Sequence, residues 1–245
     1  MLFWLISAQS EILISTYFES HASMPELYLI RHAQASFGAA DYDVLSDKGH
    51  VQSEALGRAL AAQGIKPDRF VIGAQRRHRE TFEGIAKGMG ISTPEHEIHS
   101  GLNEFDFKGL LDAAHRHTPP VEGMHTDRRD HFRILRDTVL AWERGEVDEP
   151  PETWKEFSNR VLEARAFLTR SGVEKVLAVS SGGAISLMIA ATLSTAPGEQ
   201  IKLQLQMKNC ALNRFVFSER SFYFHGYNET PHINATNQDE LLTYS

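Results

Sequence analysis

The sequence predicts an α/β fold: a three-layer α/β/α sandwich around a central, mostly parallel sheet, with a helical insertion. Three observations carry this. Short apolar runs of strand character alternate with amphipathic helical segments along the chain. Several of those runs break off into small or polar residues that open a helix, as at Ile72-Gly73-Ala74 and Val179-Ser180-Ser181-Gly182. The composition, 42% hydrophobic and 23% charged over 245 residues, is that of an ordinary globular protein with ample core material.

Taken in order, Glu26 to Arg31 reads as the first strand, followed by a loop rich in Ala, Gly, Ser and Asp. Ser46 is a helix N-cap, with Asp47 favourable in the first turn. Val51, Ala55, Leu56, Ala59 and Leu60 then recur at helical spacing, and Gly64 and Pro67 stop the helix. Asp68–Gly73 is the second strand. A second helix finishes at Gly90, and Glu95–His99 is a short strand. Residues 108–150 are the least regular part, with a helix over Arg128–Trp142. Another helix spans Glu152–Thr169, with Trp154, Phe157, Val161 and Leu168 on one stripe whose main role is helix packing. Val173–Ser180 is a buried strand feeding an apolar helix, Ala184–Leu193. Ala211–Ser218 and Ser221–Gly226 are close enough to form a hairpin, and residues 237–245 are expected to fray.

A formal net charge of −7 speaks against a general nucleic-acid or anionic-membrane binder, yet leaves room for a local cationic pocket. The single cysteine, Cys210, excludes an intramolecular disulfide framework and fits a reducing, cytoplasmic setting. Residues 1–23 carry no Lys or Arg before their apolar run, so they do not read as a secretory signal, and the run is too short to span a bilayer. They are expected to be a non-native or disordered extension, or an extra edge strand, with one domain over 24–245. His96, His99, His115, His117 and His125 match no metal-ligand template, and no metal is expected.

The chemistry-bearing residues collect at strand ends. The apolar run Leu27-Tyr28-Leu29-Ile30 ends on Arg31-His32, which delivers a cation and an imidazole where open α/β sheets bind ligands. A second basic cluster, Arg76-Arg77-His78-Arg79, follows the second strand at a helix start, where backbone donors also favour an anion. These segments resemble the histidine phosphatase superfamily, the phosphoglycerate-mutase-like proteins. Arg31-His32-Ala33 resembles its Arg-His-Gly motif, and Leu45, Ser46, Gly49 and Gln52 resemble its next helix opening. Arg77 and Thr81 match a motif written Ser-x-x-x-Arg-Ala-x-x-Thr, in which Gly73 and His78 are departures. Leu102-x-Glu104 and Asn228-Glu229-Thr230-x-His232 match two further segments. Where the family reads His-Gly, its second catalytic histidine, this chain has Ser181-Gly182.

The resemblance implies a phosphomonoesterase working through a phosphohistidine on His32, on a small phosphomonoester or a phosphopeptide. Arg31 and Arg77 would hold the phosphoryl oxygens, aided by Ser181 and the Gly182 N–H. Glu104 would be the general acid, with Asp106 in reserve, and His232 is read as structural. No cofactor is implied. The helical region of about 108–170 would cover the site and set substrate choice. Ser181 cannot supply an imidazolium charge, and one lost charge-stabilising donor costs about 10²–10³ in rate. A phospho-ligand binding protein with blunted turnover is therefore the alternative. A mutase ranks below both, since Ala33 and Gly38 replace residues of the longer mutase motif. Oligomeric state is left open, a homodimer included.

Overall fold

The computed structural model describes residues 24–36, 43–92, 94–117 and 128–244, without the side chains of 128, 129 and 131. Residues 1–23, for which an extension was expected, lie outside the described residues.

Six strands form one sheet in the order β3-β2-β4-β1-β5-β6. They are β1 (Glu26–Arg31), β2 (Arg69–Ile72), β3 (Glu97–Ile98), β4 (Lys175–Ser180), β5 (Leu212–Phe217) and β6 (Phe222–Glu229). The pairings β1–β4, β2–β4 and β2–β3 are parallel, while β5 and β6 add an antiparallel edge. The inner parallel strands β1 and β4 are covered on both faces, as parallel pairing requires, while β3 is an exposed edge. Along β1, Leu27 and Leu29 enter one core, and Tyr28 and Ile30 enter the other.

The helices are α1 (Asp47–Ala62), α2 (Arg76–Met89), α3 (Phe107–Ala114), α4 (Arg128–Glu143), α5 (Trp154–Leu168), α6 (Gly182–Leu193), α7 (Glu199–Gln206) and α8 (Gln238–Leu241). Leu56 and Leu60 of α1 and Phe82 and Ile85 of α2 pack under Tyr28, Ile30, Leu177 and Val179. On the opposite face, α3 to α7 close over Leu27, Leu29, Val71, Val176 and Ala178. Ser46 caps α1 by accepting from Gly49 N, and Thr153 and Glu156 form a reciprocal capping box at α5.

The stripe on α5 is core. Phe157 and Val161 are fully buried, and Trp142, Trp154, Phe105 and Phe157 make edge and tilted ring contacts at 5.1–5.7 Å. This cluster includes Phe105, the neighbour of Glu104.

Two expectations need correction. The segment around 108 opens with α3, whose N-cap is Asp106. The described tail up to 244 is anchored: Gln52 Nε2 donates to Leu241 O and to Thr243 Oγ1 at 2.7 Å, and Asn209 N donates to Thr243 O at 3.0 Å. Two further elements, α7 and the 3₁₀ turn Ser100–Leu102, were not expected.

Helices α1 and α2 approach closely at Gly57, where an added Cβ would lie 2.1 Å from the Ile85 carbonyl oxygen and 2.9 Å from Gly88 Cα. Ala at a helical Gly gains about 1 kcal/mol of propensity, whereas overpacking a rigid backbone contact costs about 1–3 kcal/mol. Gly57→Ala is therefore expected to lower the urea midpoint of unfolding. A raised midpoint would show that the two helices slide apart freely.

Candidate active site

The site forms because three neighbouring parallel strands end together. Arg31 pairs in register with Ser180, and Ile72 with Val179. The residues that follow each strand therefore share one sheet edge: His32 after β1, Gly73 to His78 after β2, and Ser181 after β4. The structure brings together Arg31, His32, Arg77, Ser181, Gly182 and Glu104, all six of the residues read from the sequence.

His32 is clamped at both ends of its peptide. Its N–H donates to Ser180 O at 2.9 Å, and its carbonyl accepts from Cys210 N at 3.3 Å and Asn209 Nδ2 at 3.4 Å. Its Nδ1 lies 2.8 Å from Ala33 O. A carbonyl only accepts, so Nδ1 carries the proton and Nε2 keeps its lone pair in the neutral ring. Burial, then the positive charges of Arg77 and Arg31, hold the His32 pKa well below the usual histidine range. Ala33 N donates to Thr81 Oγ1 at 3.0 Å, and Thr81 Oγ1 donates to Arg77 O at 2.7 Å, which ties the His32 loop to α2.

Both arginines are buried, at 8% and 4% exposure, where a bare charge would be costly. Arg31 donates through Nη1 to the Met207 carbonyl, and Gly182 sits against its guanidinium. Arg77 pairs with Asp43 at 2.7 Å and donates through Nη2 to Gln75 Oε1 at 2.8 Å. Asp43 also accepts from Arg76 N at 2.7 Å, at the start of α2.

Glu104 as a whole residue is only partly buried, but its carboxyl is packed around by protein. That burial raises its pKa, against the Gly183 N–H, Arg77 and Arg31. Gly183 N donates to Oε2 at 3.0 Å, and a Cβ at Gly183 would lie 2.1 Å from Oε1. The loop is held by Gln75 Oε1, which accepts from Glu104 N at 2.9 Å, and by Asn103 Oδ1, which accepts from Ala74 N at 2.7 Å. Ser180 Oγ donates to Leu102 O at 2.7 Å, and Arg160 Nη1 donates to Asn103 O at 2.9 Å. Asp106 is exposed, and its carboxylate accepts from Gly109 N at 2.9 Å as the cap of α3, so it does not share the position of Glu104.

Ser181 Oγ lies 2.7 Å from His78 Nε2, 3.4 Å from Arg77 Nη2 and 3.3 Å from Gln75 Oε1. His78 is fully buried, and its ring centroid is 5.8 Å from that of His32. Sequence reasoning missed Gln75, Gly183 and Asp43 and placed no role on His78. The one available signal was the pair of departures at Gly73 and His78. A Cβ at Gly73 would lie 2.1 Å from His78 Nδ1, so the ring fits only because residue 73 has no side chain.

The model of the histidine phosphatase superfamily (branch 1) matches residues 27–230. The chain belongs to this superfamily. A 2,3-bisphosphoglycerate-dependent phosphoglycerate mutase of Bartonella tribocorum is 34% identical over 91 residues, 34% of this chain and 44% of that relative. The chain thus matches less than half the length of this curated relative. A crystal structure of phosphoglycerate mutase from Bacillus anthracis superposes with a TM-score of 0.61 at 19% identity, covering 87% of this chain and 97% of the other. The alpha-ribazole phosphatase of Shigella flexneri gives 0.59 at 19%, with 84% and 96% covered. At these identities the two structures share the fold with this superfamily member.

Two of the remaining histidines have structural surroundings. His99 Nδ1 accepts from Gly101 N at 3.1 Å, and His96 packs on Phe82 at 4.9 Å. Among the described residues, no three His, Cys, Asp or Glu side chains group as metal ligands, and His125 lies outside them. No described helix is long and apolar enough to cross a membrane.

His232 is buried, with neither ring nitrogen hydrogen-bonded, and burial lowers its pKa from 6.5 to about 4. The unfolded chain therefore binds the proton more readily, and stability is lost as pH falls from 6.5 toward 4. The loss from this one ring is on the order of 3 kcal/mol. The unfolding free energy of wild type minus that of His232→Phe, each from urea unfolding, is expected to fall by about 2–3 kcal/mol from pH 7.5 to pH 4.5. A constant difference would contradict a buried neutral ring.

Proposed function

We propose that this histidine phosphatase superfamily member hydrolyses phosphomonoesters through a phosphohistidine on His32. The observation that carries this reading is the hydrogen bond from Nδ1 to Ala33 O. It leaves Nε2 as a lone pair in a buried pocket beside Arg31 and Arg77.

A phosphomonoester binds with its phosphoryl oxygens against the Arg31 and Arg77 guanidiniums, whose planar donors match oxygen pairs. His32 Nε2 attacks phosphorus, and the ester P–O bond breaks with its electron pair on the leaving oxygen. Glu104 protonates that oxygen, a role its raised pKa suits. Water then attacks the phosphorus, Glu104 takes its proton, and the N–P bond breaks to return the lone pair to Nε2. Splitting one displacement into two eases each step, and the arginines supply the charge stabilisation that phosphoryl transfer needs. Ser181 and the Gly182 N–H add donors at the end of β4. The substrate is a small phosphomonoester or a phosphorylated peptide, with no nucleic acid or membrane partner and no cofactor.

Steady-state hydrolysis of p-nitrophenyl phosphate with a chelator present tests this. Wild type is expected to turn over, and His32→Ala to lose turnover and the acid-labile phosphoenzyme together. Saturable inorganic phosphate binding without hydrolysis of any ester would instead favour a phospho-ligand binding protein.

Glu104→Gln offers a second check. An alkyl phosphate, whose leaving oxygen needs a proton, is expected to lose about 10²–10⁴ in kcat/KM, which reports the phosphorylation step and not the later hydrolysis common to both esters. The nitrophenyl ester should lose far less. Activity should also decline on the alkaline side as Glu104 ionises, and this limb should vanish in Glu104→Gln. Equal losses on both esters would remove Glu104 from the acid role.

A further inference from the structure

His78 is a buried imidazole that the reaction above does not use. Its ring is held by shape, in the space left by the missing side chain of Gly73, with Nε2 aimed at Ser181 Oγ. Burial, then Arg77, holds its pKa well below the usual histidine range, so the ring is neutral and carries one hydrogen. The Gly73 main chain lies close enough to Nδ1 to temper that drop. It makes no hydrogen bond of acceptable geometry there, so no partner fixes the hydrogen on Nδ1.

The position of that hydrogen decides what Ser181 can do. A hydroxyl has one hydrogen and two lone pairs. Arg77 Nη2 can only donate to Ser181 Oγ, and Gln75 Oε1 can only accept. If His78 Nε2 is unprotonated, it takes the hydroxyl hydrogen, and Ser181 turns lone pairs toward the pocket. An anion there would be repelled. If Nε2 carries the hydrogen, His78 and Arg77 occupy both lone pairs. The hydroxyl hydrogen then faces Gln75 Oε1, or an anionic oxygen that takes its place. An anion held between Arg31 and Arg77 selects the second arrangement.

We propose that His78 is a positioning residue that donates from Nε2 to Ser181 Oγ and thereby turns the Ser181 hydroxyl into a donor to the bound phosphoryl oxygen. The proposal rests on the phosphoryl site described above and adds to it a tautomer choice coupled to ligand binding. It also predicts that His78 and Ser181 act as one unit, because His78 reaches the ligand only through the hydroxyl.

The probes are inorganic phosphate, titrated calorimetrically, and p-nitrophenyl phosphate. Ser181→Ala and His78→Leu are each expected to weaken phosphate binding about 10-fold, the worth of one hydrogen bond to a charged group. The double variant should lose no more than either single one. His78→Gln, which can place an amide N–H near the Nε2 position, should bind within about 3-fold of wild type. Multiplying losses in the double variant would overturn the proposal. So would His78→Leu binding phosphate like wild type, or His78→Gln failing like His78→Leu with an unchanged melting temperature. If His78→Leu does not fold, ¹⁵N spectra of the wild-type histidine rings decide: Nε2 of His78 must be protonated in the phosphate-saturated protein, and an unprotonated Nε2 sinks the idea. Phosphate binding without ester hydrolysis would defeat the hydrolase reading alone, and the phosphate affinities would still judge His78. A wild type that binds no phosphate would defeat both.

Discussion

The parallel register of β1, β4 and β2 is the constraint on which the site depends. Pairing Arg31 with Ser180 and Ile72 with Val179 ends three buried strands at one level. The chain leaves the sheet there, and two cationic side chains lie at this edge: Arg31, the last residue of β1, and Arg77, at the start of α2. Neither is stranded. Arg31 finds a carbonyl at Met207, while Arg77 finds Asp43 and Gln75. Buried guanidiniums persist only when such partners exist, so the surrounding loops are shaped by the cost of the charges as much as by any ligand.

Those charges and the burial act on His32 and Glu104 in opposite directions. Burial disfavours the charged form of each, which lowers the imidazole pKa and raises the carboxyl pKa. The guanidiniums reinforce the first effect and oppose the second. An imidazole with a lowered pKa and a carboxyl with a raised one suit nucleophilic attack with proton donation. Burial sets both directions, and the Gly183 N–H and Gln75 fix where the carboxyl lies.

Much of the fold was legible because it is carried by patterns that repeat. The apolar runs of β1 and β4 are buried, and of the helical face read from spacing Leu56 and Leu60 enter a core while Val51, one turn earlier, is exposed. What the sequence left unread has no period. Helices α3 and α7, of eight residues each, are too short to announce themselves and exist because they seat Leu110, Leu111 and Ile201 in a core made by distant segments. The polar tail looked frayed because its anchors, Gln52 and Asn209, are far away in the chain. In the site, His32, Arg31 and Arg77 stood out by residue type and junction. Gln75 did not, since a lone glutamine carries no chemical signal until three donors are seen to converge on its one oxygen. Asp106 was a fair reserve on strand alternation, but the chain turns into α3 there and spends the carboxylate on a cap.

The departures at Gly73, His78 and Ser181 read as three separate weaknesses along the chain, and in space they are one contact. The missing side chain at residue 73 admits the ring, the ring reaches the hydroxyl, and the hydroxyl sits beside Arg77. Residues in such direct contact are coupled, so the effect of changing one depends on the others. A histidine placed at residue 181 would enter space next to a ring already there, and a side chain restored at residue 73 would expel that ring. Comparing this chain with its superfamily one position at a time therefore misjudges it, because an imidazole absent from the end of β4 is present 2.7 Å from Ser181 Oγ, delivered by α2.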